Sequence, residues 1–148
     1  MITHLARMTI LVRDQDEALR FYTEQLGFEK RADVPFGATR WLTVAPAGQR
    51  DLEIVLQQPD PAIHGEEGAR TMLERVGQNT TWVLATTDCQ GDYERLSAQG
   101  VRFASPPQRQ PYGTEAVLLD LYGNHFSLLQ AADMAGDIER SVSGCMGT

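Results

Sequence analysis

Basic charge, cysteine, histidine and long apolar runs are all scarce in this chain, and each scarcity removes a class of function. Thirteen Lys and Arg face twenty Asp and Glu across 148 residues, a net charge of −7, and the pI is near 4.9. Nucleic acids and anionic membrane surfaces are held by concentrated basic surfaces, so neither is an expected partner. Lys30 is the single lysine, which reads as a codon bias towards arginine. The two cysteines, Cys89 and Cys145, form neither a CxxC pair nor a disulfide framework and read as unpaired thiols of a reducing compartment. Apolar stretches reach only strand length, too short for a membrane-spanning helix. No basic region followed by an apolar run marks a signal peptide, so the expected location is the cytoplasm. GxSxG, phosphate-loop and dinucleotide motifs are missing as well.

What the chain has instead is a repeat. Arg7 to Val12 reads as a strand running into Asp14, a helix spans Glu17 to Tyr22, and Gly27-Phe28 ends it. Pro35-Phe36-Gly37 then leads to Trp41-Leu42-Thr43-Val44, Gly48 and the strand Leu52 to Leu56. The second copy runs from Thr81 to Ala85, through Asp88 and the helix Tyr93 to Leu96, to Gly100-Val101. Pro111-Tyr112-Gly113, Glu115 to Leu119, Gly123 and Phe126 to Leu129 complete it. A repeat of this length is a βαβββ module used twice. The expected fold class is α+β, with two such modules forming a curved eight-stranded sheet around a cleft. The chain reads as a single domain over 1–148, with the repeat at 5–58 and 79–131 and a tail over 132–148. A linker helix is expected from Glu66 to Val76 with Met72, Leu73 and Val76 on one side. Another is expected in the tail from Asp133 to Val142.

Local signals place the helices. Asp14 followed by Glu17 forms a capping box, and Asp88 takes the same place in the second module. Gly27 and Gly100 stop the helices where positive φ is favoured. Strand alternation then sorts side chains by face. Met8, Ile10 and Val12 belong beneath the helix, leaving Arg7, Thr9 and Leu11 on the cleft side. The same test sends Trp41, Thr43, Glu53, Val55, Gln57, Thr81, Val83, Ala85, Ser127 and Leu129 to the cleft. Ala116 and Leu118 are expected there too, and Trp82 in the core. Phe36 and Tyr112, in equivalent loops, are placed to close over a bound molecule.

This arrangement resembles the vicinal oxygen chelate superfamily of glyoxalases, bleomycin-resistance proteins and extradiol dioxygenases, over roughly residues 5 to 130. The resemblance rests on Val12-Arg13-Asp14 with Glu17 to Tyr22, on Leu26-Gly27-Phe28-Glu29, and on Asp120-Leu121-Tyr122-Gly123-Asn124-His125-Phe126. In metal-dependent members, histidines and glutamates on the first and last strand of each module hold a divalent ion. By the resemblance those places fall on Arg7, Glu53, Thr81 and Ser127. Glu53 alone is a ligand type; arginine keeps its proton, and hydroxyls are weak neutral donors. No metal and no cofactor are therefore expected. His4, His64 and His125 do not complete a set.

Neighbouring first and fourth strands put Arg7 beside Glu53, where a guanidinium takes the place of the metal's charge. That pair serves either as a structural ion pair or as an anchor for a ligand oxygen. The resemblance implies metal-independent binding of a small organic molecule by a homodimer. The expected binding residues are Arg7, Leu11, Trp41, Glu53, Val55, Thr81, Val83, Tyr112, Leu118 and Ser127. The alternative is a lyase, isomerase or dioxygenase of glyoxalase type, either metal-dependent or using Glu53 as general base and Arg7 to stabilise an oxyanion. Whether the chain is an enzyme stays open at this point.

Overall fold

Eight strands and three α-helices follow one another in a computed structural model of the chain, which describes residues 1–37, 39–79 and 81–132. The Phe36 side chain, Cys145 and the helix expected in the tail fall outside the described residues. The strands run as two four-stranded sheets, ordered β1-β4-β3-β2 and β5-β8-β7-β6. Each is built from one βαβββ module, as the repeat requires. The chain divides into two compact units, Met1–Asn79 with Leu121–Asn124 and Thr80–Asp120 with His125–Thr148. Among the described residues no helix is long and apolar enough to cross a membrane.

In the first unit β1 (Arg7–Leu11) leads to α1 (Gln15–Arg20), and β2 (Glu29–Phe36), β3 (Thr39–Ala45) and β4 (Glu53–Gln57) follow. The Asp14 carboxylate accepts from the Glu17 N–H at 3.0 Å, so the expected cap forms. After α1 the chain widens into a π-helical turn over Phe21–Gln25, where the Leu26 N–H reaches back to the Phe21 carbonyl. Tyr22 is fully buried there. It meets Phe21 edge-on, with 5.3 Å between ring centroids, and Phe28 at 5.7 Å. Beneath the helix, Ile10, Leu42, Val44, Ile54 and Leu56 fill the core, as their alternation predicts.

The linker holds one more helical stretch than expected. Gly65 (φ 75°, ψ 164°) interrupts α2 (Pro61–Glu74), so a short stretch from Pro61 precedes the helix expected from Glu66, which ends at Glu74 rather than Val76. Asp60 caps α2, and Pro61 sits at the first turn, where its missing N–H costs nothing. Ala69 and Val76 are buried while Leu73 stays exposed, so the expected apolar stripe is rotated. The Leu121–Asn124 turn docks on this same unit. The Tyr122 hydroxyl accepts from the Asp14 N–H at 3.0 Å, and the Asn124 side chain accepts from the Asn79 N–H at 3.0 Å. The Arg13 guanidinium lies over the Tyr122 ring, 5.4 Å from its centroid.

In the second unit β5 (Trp82–Ala85), α3 (Cys89–Ala98), β6 (Arg102–Gln110), β7 (Gly113–Leu119) and β8 (His125–Ala131) repeat the plan. Asp88 caps α3 through the Gly91 N–H at 3.0 Å. Tyr93 packs edge-on against Phe103 with centroids 4.7 Å apart. Trp82 meets the buried Phe126 at 6.0 Å, also edge-on, but is itself only half-buried, at the margin of the core rather than inside it. Cys89 is fully buried, and burial pushes its thiol up, away from a reactive thiolate.

Two glycines separate backbone strain from steric exclusion. Gly27 (φ 77°) has open space where a Cβ would go, whereas a Cβ on Gly77 (φ 83°) would run into the Tyr122 carbonyl. Gly27→Ala should therefore cost about 1 kcal/mol, the backbone term alone. Gly77→Ala should cost about 3 kcal/mol, because the docked turn must also shift. Urea unfolding midpoints of the two variants give the comparison, and equal losses would mean that the 121–124 turn does not dock on this unit.

Candidate functional site

β3 and β4 hold the key to the open face of the first unit. They pair only at Thr43↔Val55 and Val44↔Ile54, and then part. The corresponding pair in the second unit, β7 and β8, stays in register from Gly113↔Ala131 to Leu119↔His125. Where β3 leaves β4, the Gln15 amide nitrogen donates to the Arg40 carbonyl at 3.1 Å and to the Leu56 carbonyl at 2.9 Å. One side chain thus satisfies carbonyls from the two strands that no longer bond to each other. The gap opens into a cavity of about 680 Å³, walled by β1, by the separated ends of β3 and β4, and by the start of α2.

Three of the expected residues line this cavity: Arg7, Trp41 and Val55. Arg7 stands directly beside Glu53 in the parallel register of β1 with β4. Its terminal nitrogen lies 3.4 Å from a Glu53 oxygen, and its guanidinium sits 5.7 Å from the centroid of the Trp41 ring. Trp41 is 37% exposed. Glu53 takes its short hydrogen bond, 2.8 Å, from the buried Thr43 hydroxyl. The Arg7 and Glu53 side chains are 49% and 28% exposed, so water screens their attraction. The pair contributes about 0.5–1 kcal/mol, well short of a buried ion pair.

Several lining residues come from the linker, which sequence reasoning passed over. His64 is engaged at both ring nitrogens, by the Asp60 N–H at 3.3 Å and the Gln57 amide at 3.2 Å. A signal was present. Gln57 faces the open side, so residues directly after it must cross that side before α2 can start.

Arg40 organises the rim. Its Nε and one terminal nitrogen grip both Asp33 oxygens at 2.7 and 2.9 Å, and the other terminal nitrogen reaches Asp16 at 2.6 Å. The hydrogen bond from Arg40 holds the Asp33 carboxyl below its usual range, and the Arg40 pKa is raised in turn.

The remaining expected residues fall elsewhere. Leu11 is half-buried on β1 and does not line the cavity. Thr81, Val83, Tyr112, Leu118 and Ser127 belong to the second unit. Leu118 and Ala116 correct the strand parity: they lie opposite Phe126 and Leu128, share that face, and are fully buried. The open face of β7 carries Glu115 and Val117 instead. Glu115, which parity reasoning missed, accepts from the Tyr112 hydroxyl at 2.9 Å and from the Ser127 hydroxyl at 2.6 Å. The bond to Glu115 raises the Tyr112 pKa. Residues opposite one another in a ladder share a face, so Phe126 and Leu128 carried the signal. Val83 is 61% exposed beside Ser127, and Thr81 is exposed.

The ladders fix which positions of the two units correspond. Val12 N–H bonds to Gln57 in one unit, and Thr86 N–H bonds to Leu129 in the other. That equivalence makes His125, not Ser127, the counterpart of Glu53, while Ser127 corresponds to Val55. The corresponding positions are Arg7 and Glu53 in the first unit and Thr81 and His125 in the second, one ligand type in each. Among the described residues no three His, Cys, Asp or Glu side chains form a group that could hold a metal ion. The donor set does not fit one.

A family model described as the Glyoxalase/Bleomycin resistance protein/Dioxygenase superfamily matches residues 2–128. The chain belongs to this superfamily. Among solved structures, UcmS2 is 41% identical, with 88% of this chain and 100% of that chain covered and a TM-score of 0.80. TnmS3, described as an antibiotic binding protein from Streptomyces sp. CB03234, is 33% identical, covering 88% and 98%, with a TM-score of 0.73. A protein of Shewanella frigidimarina (strain NCIMB 400), described as uncharacterized, is 36% identical over 135 residues, 89% of this chain and 94% of that protein. For a member of this superfamily, the arginine at the first metal position is the departure that shapes the site.

The Asp33–Arg40 contact makes a pH prediction. Because the folded pKa of Asp33 is depressed, its stabilisation is complete above the ordinary carboxylate value of ~3.9 and is lost as the pH falls through the folded value. Arg40→Met should lower stability by about 1 kcal/mol at neutral pH, and the deficit should shrink in acid. Thermal melts of both proteins from neutral to strongly acidic pH measure it. A deficit that stays constant into acid would rule the contact out as its source.

Proposed function

We propose that this chain binds a small organic molecule in the cavity of its first unit, without a metal, acting in the cytoplasm as a homodimer. One observation carries the reading: the separation of β3 from β4 leaves a cavity of about 680 Å³ with an exposed tryptophan and an arginine in its wall. A cavity of that size, with apolar surface and a few placed polar groups, suits a drug-sized ligand. The likeness to TnmS3, described as an antibiotic binding protein, supports the same class of ligand. Use of Glu53 as a general base finds less support, because its carboxylate already accepts from Thr43 and faces Arg7.

Trp41 supplies the readout. A ligand screen followed by tryptophan emission should find compounds that quench the protein, and Trp41→Phe should remove most of the response. Trp82→Phe should leave it intact, since Trp82 packs against Phe126 in the other unit. Quenching that survives in Trp41→Phe and vanishes in Trp82→Phe would place the ligand elsewhere.

The homodimer is supported by the sheet edges. β1 and β2 border one sheet and β5 and β6 the other, leaving ladder groups that proteins commonly cover by pairing. Sedimentation velocity at micromolar concentration should give a dimer; a single monomeric species there would end this part of the proposal.

A further inference from the structure

Three formally charged side chains stand in the wall of the first unit's cavity: Arg7, Arg40 and Asp60. Two of them are committed to the fold. Arg40 directs its donors at Asp33 and Asp16. Asp60 accepts from the Ala62 N–H at 2.9 Å as the cap of α2. His64 is occupied at both ring nitrogens.

Arg7 is different. Its contact with Glu53, at 3.4 Å, is longer than a charge-assisted hydrogen bond, and Glu53 draws its short bond from Thr43 instead. A guanidinium carries five N–H donors. Among the described residues Arg7 makes this ion pair and the contact with the Trp41 ring, and its side chain is half-exposed into the cavity. A donor fork of this kind matches a carboxylate bidentately, and the exposed part of the adjoining indole, over which the guanidinium sits, offers apolar surface for a ring. Charge and platform are contiguous. A neutral ring of the same size would gain the stacking alone.

We propose that the cavity selects aromatic acids, with anionic oxygens carried directly on a flat ring, and that Arg7 binds the anion while Trp41 receives the ring. The selectivity rests on the ligand-binding reading above. Glu53 then tunes Arg7: it keeps the guanidinium in place when the site is empty and competes with the incoming anion.

Calorimetric titration with 2-naphthoate and its neutral counterpart 2-naphthamide tests the proposal. The wild-type protein should bind the acid at least about tenfold more tightly than the amide. Arg7→Met should bring the two affinities together. Glu53→Gln should widen the gap by several-fold, since the competing carboxylate is gone while Arg7 remains. That second variant keeps the test alive should Arg7→Met fail to fold, which circular dichroism reports. Equal affinity of the two probes for the wild-type protein would overturn the anion selectivity and leave cavity binding standing. An acid preference that persists in a folded Arg7→Met would remove Arg7 from the role. No binding of either probe, together with unchanged Trp41 emission across the ligand screen, would overturn the cavity reading and this inference with it.

Discussion

The two-position pairing of β3 with β4 is the constraint on which the candidate site depends. A sheet whose neighbouring strands part leaves carbonyls without partners, and such groups must be satisfied or the gap closes. Gln15 satisfies them from the first turn of α1 by spanning the Arg40 and Leu56 carbonyls. The gap is thus a built feature, held by a helix that Asp14 starts at a fixed place. The second unit shows the alternative. There β7 and β8 remain paired along their length, and the position matching Trp41 is Glu115, bonded to Tyr112 and Ser127. Duplication supplied two similar sheets, and local pairing made them different.

Electrostatics at the site divides into committed and available charge. Arg40 is gripped by two carboxylates, so it serves as a fixed part of the rim. Arg7 has one longer contact and a half-exposed side chain, so its charge remains usable. Arginine at a position where relatives of metal-dependent type place a ligand changes the chemistry from coordination to hydrogen bonding. An ion holds oxygens by charge at a point; a guanidinium holds them through a planar fork. That change of chemistry underlies the proposed recognition of a flat anion.

Much of the site was legible in the sequence, and the gaps have identifiable causes. The placement of Arg7 beside Glu53 followed from module topology and alternation, and the register of β1 with β4 puts them side by side. Trp41 followed from alternation on β3. Leu118 and Ala116 were misplaced because apolar residues occur on both sides of β7, and a strand read alone does not say which side is which. The ladder partner on β8 decides it. The linker residues were invisible because no period marks a segment that crosses over a cavity. Ahead of the helix expected from Glu66, Asp60 and Pro61 start another stretch, and Gly65 separates the two.

By itself the sequence determined the two βαβββ modules, the caps at Asp14 and Asp88, the burial of Tyr22 and the poverty of metal ligands. These follow from period, turn chemistry and side-chain type, which act within a few residues of chain. Tertiary structure alone decided that β3 would part from β4, that Gln15 would bridge the gap and that the linker would wall the cavity. It also decided that Glu115 would stand where the first unit has Trp41. Those outcomes depend on which strands meet and for how long, a balance among distant groups that no local pattern encodes.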